Sequence, residues 1–446
     1  MQLLLISIMV FVIMIMGAPV AYSFGLGALL FLILNGLSLG PVASTAFYAM
    51  NSFAFLAIPL FVLAGDLMTR SGIADRLVGF SSSLLKNVKG AMGAAVIFAS
   101  MFFGMLTGSN IATITAIAGI MKEPMMKMGY KKEYIAGVLA ASGPLGYMIP
   151  PNTNAIMFAV IASCSVSDLF LSTVVPGLIW AIMMMVVNRF LYKKYYDPSV
   201  ATEEYKEIAI RDGDKIPGET IGTYFKDLGK TFVLTIPALI MPLIIFGGIY
   251  GGIFTATEAG AVSGVYAIIL GVIITKNMKA KGIWDSFTST GKQMGTILFI
   301  TPFAAIFTYV LVTNGAPAAI ANFFLSVSNN KIILLLLLDA VFIVSGFFVG
   351  PAVIIFVITP LLMPTAAAMG IDTIQLGVML FVAIGIGNIT PPMAFNLFIA
   401  ARVVDVEVSK VIKPLYYYFI FTGVPMLLLV TFVPELSLWL PRLISG

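Results

Sequence analysis

"PLGYMIPPNTN", Pro144 to Asn154, sits near the middle of an otherwise apolar stretch that runs roughly from Tyr134 to Cys164. Each proline removes a backbone donor and clashes with the preceding turn. Asn152, Thr153 and Asn154 then add polar groups that hydrocarbon cannot satisfy. A straight helix from Tyr134 to Ala162 would be about 44 Å long, so the break falls near the middle of a bilayer. There the freed carbonyls of Gly143, Gly146 and Met148 are candidate cation ligands. The half-helix that follows would present its N-terminal N–H groups, with positive partial charge, to an anion.

The rest of the chain places this break in a membrane. Of 446 residues, 60% are hydrophobic and only 10% charged, against about 25% charged in a soluble domain. The apolar N-terminus has no basic n-region and no small-residue cleavage site, so it reads as a first span rather than a signal peptide. With one cysteine, Cys164, and no histidine, intrachain disulfides, histidine-ligated metals or haem and a Ser-His-Asp triad are excluded. Gly229-Lys230-Thr231 resembles the end of a phosphate loop. Tyr224 stands where its first glycine belongs, which removes ATP as an energy source here. No enzyme is read in the chain.

Spans are expected near 2–18, 20–36, 50–68, 134–165, 169–190, 231–251, 257–275, 293–312, 374–401 and 414–433. Five segments hold 23 of the 25 basic residues: Arg70 to Lys89, Lys122 to Lys132, Arg189 to Lys230, Lys276 to Lys292 and Arg402 to Lys413. Placing all five in the cytoplasm gives a one-sided charge distribution and puts both termini outside. The net charge of +5 is then a topology signal, and no nucleic-acid partner is implied. Lys89 and Lys122 must share a side although 32 uncharged residues separate them. Residues 90–121 are therefore expected as a re-entrant hairpin, divided at Gly104 and Thr107–Asn110 into arms of about 14 residues. Residues 332–369 repeat this, broken at Gly346 to Pro351.

The halves align without gaps over long runs. Gly72 matches Gly315, Gly129 matches Gly370, Gly146 matches Gly387, and Pro150-Pro151 matches Pro391-Pro392. "GNITPPMAFN", Gly387 to Asn396, is thus the partner of the opening stretch. Each half carries five spans and one hairpin. An odd number of spans inverts the second half, and inverted repeats with paired broken helices mark secondary transporters. The fold class read from this is an all-α polytopic membrane protein. The first repeat covers 1–194, a cytoplasmic linker 195–230, and the second repeat 231–446. Broken helices fall at 134–165 and 374–401.

In the first half the tip Gly108-Ser109-Asn110 should face the Gly143–Met148 break. In the second, Gly350-Pro351 should face Gly387 to Thr390. Oxygen ligands of this kind suit a hard cation such as Na⁺. Candidate substrate contacts are Asn110, Asn152, Thr153, Asn154, Thr390 and Asn396. Thr255-x-x-Glu258 reads as a capping box. Asp339 is an intramembrane carboxylate, open to proton coupling or to polar packing against a neighbour.

The segments "FAFLAIPLFVLAGDLMTRSGIADRL", "FFGMLTGSNIATITAIAGIM", "GPLGYMIPP", "GGIFTATEAGAV", "TPLLMP" and "GIGNITPPMAFNLFIA" carry a resemblance. Together they resemble the large membrane subunit of the TRAP transporters, tripartite ATP-independent periplasmic carriers, along essentially the whole chain. The resemblance implies an elevator-type carrier of the bacterial inner membrane. It implies a small four-helix membrane subunit and a periplasmic substrate-binding protein as partners. It also implies Na⁺-driven import of an organic acid such as a C4-dicarboxylate, sialic acid or a keto acid. Two Na⁺ sites carry over: Gly108, Ser109 and Asn110 with Gly143, Gly146 and Met148; and Gly346 and Gly350 with Gly387 and Thr390. Segments 70–89 and 315–330 would be arms around the moving part. Thr107, Asn152 and Gly350 depart from the family pattern. Two other readings stand beside this one: a standalone dicarboxylate or citrate carrier, and a proton-moving respiratory subunit. The latter would be expected to carry Lys, Glu or His within its broken helices, and neither break holds one.

Overall fold

The computed structural model describes residues 2–211, 221–392 and 394–445. Among these the structure is helical, with no strand beyond a single Tyr130–Tyr196 bridge. In the first half, α1 (Gln2–Ile15), α2 (Val20–Leu34), α3 (Gly40–Met50) and α4 (Ala57–Arg70) lead to the short α5 (Ile73–Leu85). A hairpin of α6 (Ala91–Thr107) and α7 (Asn110–Lys127) follows. Next come the pieces α8 (Lys132–Ser142), α9 (Leu145–Met148) and α10 (Thr153–Ala162), and then α11 (Val166–Leu191).

The linker region holds α12 (Glu203–Arg211), and 212–220 of the expected linker lie outside the described residues. The second half begins with α13 (Ile221–Tyr250), α14 (Ala256–Ile269) and α15 (Ala280–Thr313), followed by α16 (Ala316–Val327). Its hairpin pairs α17 (Lys331–Phe348) with α18 (Pro351–Val353) and α19 (Thr359–Ala368), the last two joined by a π-helical turn. Its broken helix is α20 (Thr373–Gly387) and α21 (Phe395–Val404). Helices α22 (Val408–Tyr418), α23 (Val424–Phe432) and α24 (Glu435–Ser445) close the chain, with a π-helical turn between α22 and α23.

Among the described residues, eight helices are long and apolar enough to cross a membrane, by length and composition. The segments 134–165 and 374–401 are not among them, because their Pro-Pro breaks cut them into pieces of at most 15 residues. The first hairpin differs from expectation. Its arms are 17 and 18 residues long rather than about 14, because Gly104 stays helical and the chain reverses only at Gly108-Ser109. The tip therefore reaches deeper than shorter arms would carry it. Helix α3 was not expected at all.

Local chemistry explains the reversals. Gly72 and Gly315 both adopt left-handed φ, at 74° and 80°, immediately before α5 and α16. Gly129 and Gly370 do the same at 95° and 71°, each at the turn after a hairpin. Both Pro-Pro bonds are cis. Matched positions of the two halves thus share local geometry. The outer helices pack through aromatics: Phe24 of α2 stacks on Phe307 of α15 with ring centroids 5.1 Å apart. Close approach is allowed where a glycine faces the neighbour. A Cβ on Gly260 of α14 would lie 3.0 Å from Leu60 Cβ of α4.

A polar knot ties the first hairpin to the helices beside it. Asn188 of α11 is fully buried. Its Nδ2 donates to Gly90 O at 3.0 Å, just before α6, and its Oδ1 accepts from the Tyr134 hydroxyl of α8. The Tyr418 hydroxyl of α22 donates to the same oxygen at 3.4 Å. Four segments therefore meet at one amide, which gives one N–H and both oxygen lone pairs to them.

Candidate functional site

The first tip and the first break meet backbone to backbone. A Cβ on Gly104 would fall 2.9 Å from Gly146 N and closer still to its Cα, and one on Gly108 would fall 2.6 Å from Pro151 O. Only glycine permits this approach. Around it, oxygens gather. Thr113 Oγ1 donates to Ser109 O at 2.8 Å and lies 3.3 Å from Thr107 Oγ1. Beside Gly146, a Cβ would lie 2.9 Å from Thr113 Oγ1 and 3.2 Å from Ser109 O. The contact between tip and break is bordered by neutral oxygens, the donor set a hard cation prefers. Thr113 was not singled out in the sequence, though its place one turn after Ser109 is the spacing for such a bond. Met148 is buried, with its side chain near Gly177 of α11.

In the second half, Gly387 lies on Gly346, where its Cβ would meet Gly346 Cα at 2.6 Å. Here the expected pairing shifts. No atom lies within 4 Å of a Cβ on Gly350, so Gly346, four residues back on α17, makes the close approach. Helix α17 stays helical through Phe348, so Gly346 is a helical residue when it makes this approach. Thr390 lies beside this approach. Its Oγ1 is bound to Ile386 O at 2.8 Å. It lines a small cavity of about 80 Å³ with Pro391, Leu415, Tyr416 and Phe419 on the α22 side. The two breaks are unequally covered: Pro150 and Pro151 are buried, Pro391 and Pro392 exposed.

Contacts also cross between the halves. Asn110 Nδ2 at the first tip donates to Asn396 Oδ1 on α21 at 2.6 Å. Asn388 Nδ2 donates to the Tyr147 hydroxyl of α9 at 3.2 Å. Helix α7 packs on α21, and the second hairpin's returning arm packs on α10. Each hairpin therefore meets its own break and the half-helix of the other half of the chain. Tyr147 belongs to the opening stretch, but its partner, 241 residues away, leaves no local signal.

Both half-helix N-termini hold an amide with an unused donor. Asn152 caps α10, accepting from Ala155 N through Oδ1 at 2.6 Å. Its Nδ2 has no partner. Asn396, one residue into α21, has Oδ1 occupied by Asn110 while its Nδ2 has no partner and lies against Gly143. Asn152 and Asn396 are 1% and 0% exposed, so each orphan is a buried N–H group at the positive end of a helix. Asn154 is buried beside them and Thr153 half-buried.

The remaining acids separate from this site. Glu258 completes the capping box: Thr255 N donates to Glu258 Oε2 at 2.8 Å and Glu258 N to Thr255 Oγ1 at 3.3 Å. Asp339 is buried on α17, where its Oδ1 accepts from Thr431 Oγ1 of α23 at 3.0 Å and its Oδ2 has no partner. Nearby, Gln375 of α20 donates to Val430 O and Thr431 O, both at 3.0 Å.

Comparison with known proteins agrees with this architecture. The chain is 34% identical to the C4-dicarboxylate TRAP transporter large permease protein DctM of Vibrio cholerae, over all of this chain and 99% of that one. It is 31% identical to the sialic acid TRAP transporter large permease protein SiaM of the same organism, over 96% of each. It is also 31% identical to the isethionate TRAP transporter permease protein DctMQ of Oleidesulfovibrio alaskensis, over 96% of this chain and 64% of that one. Its fold is similar to the solved YdaH transporter of Alcanivorax borkumensis, with a TM-score of 0.62 at 14% identity over 90% of each chain. With the DctM component of the tripartite ATP-independent periplasmic transporters matching residues 7–436, the chain belongs to that family of multi-pass membrane permeases.

Proposed function

We propose that the chain imports a small carboxylate, driven by Na⁺, by an elevator movement of the hairpins and broken helices against the outer helices. The observation that carries the anion reading is the pair of buried, unpartnered amide donors, Asn152 Nδ2 and Asn396 Nδ2, each at a half-helix N-terminus. Two N–H groups without acceptors, and no acid at either break, suit a carboxylate rather than a cation. C4-dicarboxylate and sialic acid, named for the relatives, are the substrate classes to try first. The oxygen-bordered contact of Thr107, Ser109, Thr113 and Gly146 supports one Na⁺ site, and the Gly346–Gly387 approach supports a second.

In this reading a periplasmic binding protein delivers the substrate, a small membrane subunit completes the carrier, and the basic end of the bundle faces the cytoplasm of an inner membrane. Uptake into proteoliposomes containing the partner subunits and binding protein tests it. Uptake should need an inward Na⁺ gradient, and equal uptake without Na⁺ would end the coupling assignment. Asn152→Ala should abolish uptake while the complex still assembles. Uptake by this chain alone would favour the standalone carrier.

A further inference from the structure

Away from both breaks, α11 and α22 enclose a groove of about 360 Å³, lined among others by Val186, Phe190, Leu191, Lys194, Tyr417 and Phe421. Its walls change character along their length. On one, Val186, Phe190 and Lys194 follow each other at one-turn spacing, and so share a face. On the other, Lys413, Tyr417 and Phe421 do so in the opposite direction. Apolar side chains thus line one end and Tyr417 the middle, with Lys194 at the end where the basic residues of the chain gather and Lys413 one turn beyond Tyr417 on the same face. Phe190 and Phe421 are 73% and 58% exposed, so the groove is open along its apolar length.

The cationic end has donors to spare. Lys194 Nζ donates to the Tyr417 hydroxyl at 3.1 Å and lies 5.4 Å from its ring centroid. That bond uses one of three ammonium donors and leaves the tyrosine O–H proton free to point elsewhere. Among the described residues, no ion pair takes up Lys194 or Lys413. Three spare donors and two cations at one end of a narrow apolar slot call for an anion with a hydrocarbon tail. A partner helix is a poor fit, because membrane helices approach closely over small residues, and these walls carry Phe190, Tyr417 and Phe421.

We infer that this groove is a binding site for an anionic phospholipid. An acyl chain lies along Val186, Phe190 and Phe421, and the phosphate sits at Lys194, Tyr417 and Lys413. The inference rests on the proposed orientation only for the leaflet that supplies the lipid.

The test uses the chain purified with its partner membrane subunit, delipidated in detergent, with bound lipid read by native mass spectrometry. Phosphatidylglycerol should be retained in preference to phosphatidylcholine, and water-soluble glycerol phosphate should not compete at equal concentration. Lys194→Gln should weaken retention about fivefold and the Lys194→Gln, Lys413→Gln pair about 25-fold, while Lys194→Arg keeps it. Both lysines are exposed, so the variants are expected to fold. Equal retention of the two lipids, or no loss in the double variant, would overturn the site. So would efficient cross-linking of Phe190→Cys to the partner subunit in native membranes. None of these readouts uses transport, so they stand apart from the transport proposal.

Discussion

Gly104→Ala puts a methyl group where the first hairpin touches the first break. The new Cβ would lie 2.9 Å from Gly146 N and 3.2 Å from Gly146 C, while ordinary contact begins at about 3.4 Å. Gly146 Cα lies nearer than either, so helix α6 and the break must separate by about an ångström. Both sides are backbone, so no side chain can swing aside. Overpacking of this kind costs about 1–3 kcal/mol, against which alanine returns up to about 1 kcal/mol of helix propensity. The neutral oxygens border this contact, so the loss should appear in ion binding. The Na⁺ concentration for half-maximal uptake should rise, by up to about 100-fold if most of the strain falls on the ion-bound state. Gly119→Ala is the matched control: it lies on the other arm, its Cβ meets nothing within 4 Å, and uptake should be unchanged. Detergent-stable protein with wild-type Na⁺ dependence in Gly104→Ala would refute the claim that this approach builds the ion site.

Other substitutions address the anion side and the framework. Asn396→Asp keeps the acceptor for Asn110 but replaces the spare donor with a carboxylate. At an effective dielectric of 20 and about 4 Å, two like charges repel by about 4 kcal/mol, so substrate affinity measured by calorimetry should fall about 1,000-fold. Asn110→Ala, which leaves Asn396 Oδ1 without its donor, should cost about 1–3 kcal/mol and lower uptake roughly 5- to 150-fold; near-normal uptake would remove this bond from the site. Asp339→Asn can still accept from Thr431 Oγ1. As a packing residue it should leave uptake within about twofold and the pH profile unmoved, whereas a flattened profile would assign it a proton. Asn188→Leu strips partners from Gly90 O, Tyr134 and Tyr418, and should lower the thermal midpoint in detergent by several degrees, consistent with a loss of about 2–4 kcal/mol.

The parts legible in the sequence were those fixed by chemistry next to them in the chain. Prolines and amides in an apolar run mark both breaks, and the matched glycines align the two halves. Thr255 and Glu258 announced their capping box by spacing alone. The hairpin arms were misjudged because glycine within a helix was read as a stop, whereas Gly104 serves as a flat surface for another backbone. Gly346 and Gly350 both belong to the second tip in the sequence, but only packing shows that Gly346 is the one pressed against Gly387. Asn110 and Asn396 were both singled out, yet nothing local says that they pair. That bond, and the one between Asn388 and Tyr147, follows from how the two halves interlock.

The interlock has a consequence for synthesis. Asn110 and Asn396 are 286 residues apart. At about 5–20 residues per second, the first hairpin is made roughly 15–60 s before the half-helix that takes its amide. During that time the first repeat has its tip and its break but not the α21 surface against which α7 packs. An amide facing lipid without a partner is costly, so the nascent first half must be held by the insertion machinery or stay near water until α21 arrives. Neither half completes this contact alone, and a chain stopped anywhere before Asn396 leaves the Asn110 amide without that acceptor.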